Sequence, residues 1–126
     1  MTIFKDIIQS YCKALLENDY QIMISLFSKE AKVFSPLSGE NLPQEFYRKL
    51  FDTSRRTNVE LKNVFIGLNN KRTIAAYINL KAIRNEKFTI QFEAVDFFEF
   101  DSENKIKTLR LIFDTYPIRA LEAKKE

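Results

Sequence analysis

Phe88-Thr89-Ile90-Gln91-Phe92-Glu93-Ala94-Val95-Asp96-Phe97-Phe98-Glu99-Phe100 is the stretch on which the reading of this chain turns. Side chains two apart share one face of a strand. One face here carries Phe92, Ala94, Asp96, Phe98 and Phe100; the other carries Gln91, Glu93, Val95, Phe97 and Glu99. The first set is apolar except for one carboxyl group in its middle, so it is the face that meets a core, and Asp96 points inward. A carboxylate between Ala94 and Phe98 is penalised by desolvation when ionised. It is expected to keep its proton to unusually high pH or to find a donor. Contact with a backbone amide or water at the rim is the alternative, and a central place in a long strand disfavours it.

Working outward, the same period of two marks strands over Val59–Gly67, Thr73–Arg84 and Lys105–Tyr116. Asn69-Asn70-Lys71, Asn85-Glu86-Lys87 and Asp101-Ser102-Glu103-Asn104 join them as short polar turns, which makes neighbours antiparallel. Strands this long in a twisted sheet imply strong curvature. Before Val59 the period is helical. Thr2 caps a helix from about residue 3 to 17 whose stripe is Phe4, Ile7, Ile8, Tyr11 and Leu15. Asp19 caps a short second helix burying Ile22, Met23, Leu26 and Phe27. A brief extended piece, Lys32-Val33-Phe34, leads into the loop Ser35-Pro36-Leu37-Ser38-Gly39. Pro43 opens a third helix that buries Phe46, Tyr47, Leu50 and Phe51. Three helices followed by a four-strand meander read as an α+β domain with helices on one face of a curved antiparallel sheet. Residues 1–126 are expected to form one domain.

Composition narrows the function. The formal charge of +3 is mild, and Arg55-Arg56, Lys71-Arg72 and Lys124-Lys125 are short runs read as solvated surface. No basic face with interleaved aromatics is evident, so nucleic acid is not the expected partner. No apolar run approaches the length of a membrane span, and the early charges in Met1-Thr2-Ile3-Phe4-Lys5-Asp6 do not suit a signal peptide; a cytoplasmic protein is expected. The single cysteine, Cys12, excludes an intrachain disulfide and reads as a buried, inert thiol. Histidine is absent, which removes Ser-His and Cys-His pairs and His-containing zinc sites. No cofactor is expected, and acid–base chemistry falls to Asp, Glu, Tyr or Lys. The twelve phenylalanines suit either an aromatic-walled pocket or simply a Phe-rich core.

Tyr11 lies on the buried stripe of the first helix and Tyr47 on that of the third. A buried phenol wants a hydrogen-bond partner. Two inward phenols and one inward acid can form a connected network of donors.

Ile7-Ile8-Gln9-Ser10-Tyr11, Ala31-Lys32-Val33-Phe34-Ser35-Pro36, Glu45-Phe46-Tyr47, Val95-Asp96-Phe97-Phe98-Glu99-Phe100 and Lys105-Ile106-Lys107-Thr108-Leu109-Arg110 follow one another in an order and spacing that resembles ketosteroid isomerase. The chain is thereby similar, over about residues 7 to 116, to the nuclear transport factor 2-like, SnoaL-like superfamily. The resemblance implies a cone-shaped α+β barrel with a pocket between helices and sheet. It also implies that Tyr11 and Asp96, which match the isomerase donors, face a developing enolate oxygen, with Tyr47 supporting the first. Ser35, Phe51, Phe98, Leu111 and Phe113 would line the pocket. The departure is at Ser35, where the isomerase has its general base, an aspartate before the loop proline. Losing a positioned base costs on the order of 10²–10⁴ in rate. Glu40, in the same loop, is the nearest carboxylate that could substitute. Scytalone dehydratase-like chemistry lacks its histidine. The acid of SnoaL cyclases and limonene-epoxide hydrolases is replaced by Leu111, and Asp114 falls on the opposite face.

Three functions compete. An isomerase or lyase would act on a small apolar carbonyl compound, with Tyr11 and Asp96 holding the oxyanion. A binding module would hold a hydrophobic ligand carrying a carbonyl or phenol group, without chemistry. An interaction domain would use the outer sheet face, where Val95, Phe97 and Ile112 form an apolar patch beside Glu93 and Glu99. The superfamily resemblance implies a homodimer through that surface.

Overall fold

The computed structural model describes residues 2–124. Helix α1 (Thr2–Glu17) is followed by α2 (Tyr20–Ser25), strands β1 (Phe27–Ser35) and β2 (Gly39–Asn41), helix α3 (Pro43–Thr53), strands β3 (Ser54–Ile66), β4 (Thr73–Arg84), β5 (Phe88–Phe100) and β6 (Ile106–Phe113), and helix α4 (Tyr116–Lys124). On α1 the residues Phe4, Ile8, Tyr11, Cys12 and Leu15 recur every three or four positions, and all are buried. Asn18, at a positive φ of 53°, ends that helix in the left-handed conformation that asparagine tolerates. Asp19 then caps α2, its side chain accepting from the Ile22 amide at 3.1 Å.

The sheet is six-stranded, in the order β2-β1-β6-β5-β4-β3, curved and not closed into a barrel, with β2 and β3 as its edges. Its architecture is α+β with the helices packed on the sheet, as the sequence indicates. Four corrections follow. Lys32-Val33-Phe34 belongs to the nine-residue β1, which runs parallel to β6 through Lys32↔Thr108, Val33↔Leu109 and Phe34↔Arg110, so the sheet is mixed. A register shift between Phe27 and Lys32 breaks the alternation and conceals the strand. On α2, Met23 is buried while Ile22 is solvent-exposed, and Phe27 opens β1. Strand β3 starts at Ser54, and its irregularities after Arg56 and Leu61 put Arg56, Val59, Leu61 and Val64 on one face at spacings of three, two and three. Finally, β6 stops at Phe113. Asp114 accepts the Tyr116 amide at 3.0 Å and the chain turns into α4, where Pro117 sits in the first turn.

One core cluster joins α1, α2 and α3 to the sheet through Ile8, Tyr11, Met23, Tyr47, Phe98 and Leu109. A second, smaller cluster forms where α4 lays Ile118 and Leu121 over Ala82, Ile90, Phe92 and Phe113. No described helix is long and apolar enough to cross a membrane.

Candidate functional site

Helices α1 and α3 bring two phenols together over β5. The Tyr11 and Tyr47 hydroxyl oxygens are 2.6 Å apart, with their rings edge to face at 6.1 Å. Tyr11 is 2% exposed and Tyr47 0%. Tyr11 packs edge-on against Phe98 at 5.2 Å, and Tyr47 sits among Phe27, Phe46 and Phe51. Asp96, two residues before Phe98 on the same face of β5, is 3% exposed and lies in register between Ala76 and Leu111.

Burial pushes the Asp96 carboxyl up to about 7, far above the usual carboxylate range. No side-chain hydrogen bond or ion pair to Asp96 forms among the described residues to offset that. Burial, the facing Tyr47 and the Asp96 carboxyl hold the Tyr11 phenol well above its ordinary value. The Tyr47 phenol is raised chiefly by burial too. Burial and then the Asp96 charge drive the Cys12 thiol up to about 12, so it is an inert thiol. Below about pH 7 the group is therefore made of protonated side chains. Two hydroxyls that share one O–H···O bond leave one hydroxyl hydrogen over, and a protonated carboxyl offers another. The arrangement can donate to a third oxygen; it holds no strong acceptor of protons while Asp96 is neutral.

Arg56, grouped with Arg55 as surface in the sequence reading, is buried at 7% exposure. Its Nε donates to the Leu15 carbonyl at 3.0 Å, Nη1 to Ser54 Oγ at 3.1 Å, and Nη2 to the Ser54 carbonyl at 3.2 Å and to Asn18 Oδ1. The guanidinium also lies 5.3 Å from the Phe51 ring centroid. Without a carboxylate partner, desolvation lowers it to about 10, and it remains a cation at neutral pH. It ties the C-terminal ends of α1 and α3 to β3. The irregularity after Arg56 hides this from simple alternation.

Among the other expected residues, Phe51 and Phe98 touch the phenol pair directly. Leu111 is half-buried and in register with Asp96. Phe113 belongs to the α4 cluster, its ring tilted against that of Phe92 at 4.9 Å. Ser35 ends β1 and is nearly buried, and its Oγ accepts the Leu37 amide at 3.1 Å, closing the turn before β2. Glu40 is not brought to the buried group. It stands exposed on β2, paired with Lys32 Nζ at 3.1 Å. No cluster of acid or thiol side chains among the described residues could hold a metal ion.

The rings of Phe27, Phe46, Phe51 and Phe98 pack around Tyr11 and Tyr47. A cavity of about 580 Å³ lies elsewhere, between α1 and β3, walled by residues including Phe4, Cys12, Leu61, Val64 and Ile74. Tyr11, Tyr47 and Asp96 do not line it. Cys12 and Ala76, both small, stand between this groove and the acid: Ala76 pairs with Asp96 on one side and with Val64 on the other.

No protein-family model matches the chain, and no curated protein matches it. Solved structures do. SalBIII, an epoxide hydrolase/cyclase-like enzyme with a role in pyran ring formation in the polyether salinomycin, superposes with a TM-score of 0.76 at 17% identity, covering 92% of this chain and 94% of that one. The fold is that of the SnoaL-like, nuclear transport factor 2-like proteins. An LEH-like epoxide hydrolase from M. tuberculosis gives a TM-score of 0.76 at 15% identity over 97% and 94% of the two chains. A hypothetical protein with a ketosteroid isomerase-like fold from Catenulispora acidiphila, in complex with trimethylamine, gives 0.77 at 7% identity over 90% and 89%. At these identities the likeness is one of fold. SnoaL-like scaffolds carry different chemistries, so the function of this one has to be argued from its own side chains.

Proposed function

We propose that this SnoaL-like chain binds a small apolar molecule through a carbonyl or phenol oxygen, with Tyr11 and Asp96 as the donors and Tyr47 as the support of Tyr11. The observation that carries the reading is the buried phenol pair beside a carboxyl whose proton burial retains up to about pH 7. Enolate-forming chemistry of the isomerase type would need a base as well. At the position before Pro36 stands Ser35, whose Oγ is engaged by the Leu37 amide, and Glu40 is exposed and ion-paired. The side chains therefore favour holding an oxygen over moving a proton. The cyclase-like and hydrolase-like activities named for the structural neighbours belong to those proteins.

Phenolic probes test the reading. A naphthol whose fluorescence changes on leaving water should bind, and Tyr11→Phe and Asp96→Asn should each weaken it by about three- to tenfold, the worth of one hydrogen bond. Unchanged affinity in both variants would remove the assignment.

We also propose that the chain forms a homodimer through the outer sheet face. Val95 is half-buried there, while Phe97 is 37% and Ile112 49% exposed, in adjacent strands and nearly in register. Light scattering that shows a monomer at micromolar concentration would exclude it.

A further inference from the structure

The groove between α1 and β3 has a chemistry of its own. Its walls are the apolar side chains of Phe4, Val59, Leu61, Val64 and Ile74, and a volume of about 580 Å³ is that of a site for a small organic molecule. Lys5 and Lys62, from α1 and β3, stand at its margin with Gln9 and Asn63, and no acidic side chain lines it. Arg72 adds a third cation at the Phe4 end, its guanidinium 5.8 Å from that ring's centroid. None of the three makes an ion pair among the described residues. Among the described residues the Arg72 guanidinium donates only to the Asp101 carbonyl and Asn104 Oδ1. An apolar trough edged by unpaired cations complements a molecule with a hydrocarbon body and a negative head.

We infer that this groove is a second ligand site, one that takes an apolar monocarboxylate such as a medium-chain acyl or ring-system acid. The hydrocarbon lies along Val59, Leu61 and Val64, and the carboxylate sits between Lys5 and Lys62. The site is independent of the Tyr11–Asp96 donors, which do not line it. Cys12 is the one residue that both lines the groove and responds to the Asp96 charge. Exposed ion pairs are individually modest, so the head group selects among ligands whose affinity comes mainly from apolar burial.

Dansylated undecanoic acid is the probe, displaced by decanoate or by decanol. Decanoate should compete about tenfold better than decanol at low salt, and the difference should shrink as salt is raised. The double variant Lys5→Glu/Lys62→Glu, altered only at exposed positions, should weaken probe and decanoate by about tenfold or more and leave decanol unchanged. Leu61→Trp, which fills the trough, should weaken all three, while Tyr11→Phe should weaken none. Equal competition by decanol, or full binding by the lysine double variant, overturns the inference. Loss of the probe in Tyr11→Phe but not in the lysine variant would also overturn it, while leaving the donor site standing.

Discussion

Replacing Asp96 by asparagine should make the protein more stable at neutral pH and leave it nearly unchanged in acid. In the unfolded chain the carboxyl titrates at about 4, and in the folded protein burial raises it to about 7. Between these values the unfolded chain has released the proton while the native protein keeps it. The unfolded state then binds fewer protons, so stability falls as pH rises. About three pH units at roughly 1.4 kcal/mol each give about 4 kcal/mol, present in full below about pH 4 and gone above about pH 7. The groups that face Asp96 do not titrate in this window, because Tyr11, Tyr47 and Cys12 are all raised above it. Asparagine matches the neutral acid in size and cannot ionise. The assay is urea unfolding of both proteins at a series of pH values from acid to mildly alkaline. The stability of Asp96→Asn minus that of the natural protein should climb by about 4 kcal/mol across the window, whatever the other carboxylates do in both proteins. A flat difference would mean the native carboxyl is hydrated, and a falling one would mean it has a cationic partner. Either result refutes the reasoning.

Tyr47→Phe should cost about 1–3 kcal/mol, because it leaves the buried Tyr11 hydroxyl without its partner at 2.6 Å; in a double-mutant cycle, Tyr11→Phe/Tyr47→Phe should lose less than the two single losses together. Arg56→Met should cost about 3 kcal/mol or more by stripping the Leu15 carbonyl and Asn18 Oδ1 of their donor, and denaturant unfolding at neutral pH reads it. Ser35→Asp should raise the isomerisation rate of a β,γ-unsaturated ketone by about 10²–10⁴ by restoring a carboxylate before Pro36, and no increase would show that the ketone does not lie against Ser35. Phe97→Glu with Ile112→Glu should turn the proposed dimer into a monomer in light scattering while leaving the circular dichroism spectrum intact, and a dimer that survives both changes would place the interface elsewhere.

Regular alternation is legible where a strand carries no extra residue of its own; the irregularities beside β4 and β5 fall on β3 and β6. Thr73–Arg84 and Phe88–Phe100 come out of the sequence with their observed ends, and Asp96 is inward in both readings. Legibility fails where a register shift intervenes. In β1, Lys29 and Glu30 are both exposed, which breaks the alternation of its first half. Its partner β6 is parallel and more than seventy residues away, so no turn announces the pairing. In β3 the two irregularities carry Arg56 inward, against the ordinary expectation for a charged residue. Helix α4 begins where the strand read over Lys105–Tyr116 ends and carries no element in the sequence pattern, although Asp114 followed by Pro117, Ile118 and Leu121 has the cap and the spacing of a helix start. Tyr11 and Tyr47 were each readable as buried, yet their meeting depends on how α1 and α3 cross, which no local pattern encodes. The groove between α1 and β3 is a gap between elements and leaves no periodic trace.

The energetics of the buried group bear on what it is for. A carboxyl that burial holds to about 7 destabilises the empty protein by about 4 kcal/mol at neutral pH relative to a group that stays neutral. The leftover hydroxyl hydrogen of the Tyr11–Tyr47 pair adds an unmet donor. Leucine or methionine at position 96 would serve the core better, since Ala76, Leu111 and Phe98 around it are apolar. A ligand oxygen that accepts from both donors offsets the cost, because it stabilises the protonated carboxyl that the folded state already favours. Such a ligand binds the native state alone, so it should raise stability by mass action. The gain should be full in acid, where the carboxyl is neutral and ready to donate, and should shrink as pH rises through about 7, where binding has first to take up a proton. Phenols that accept a hydrogen bond should therefore protect against unfolding in a pH-dependent way, and aliphatic hydrocarbons of the same size should not.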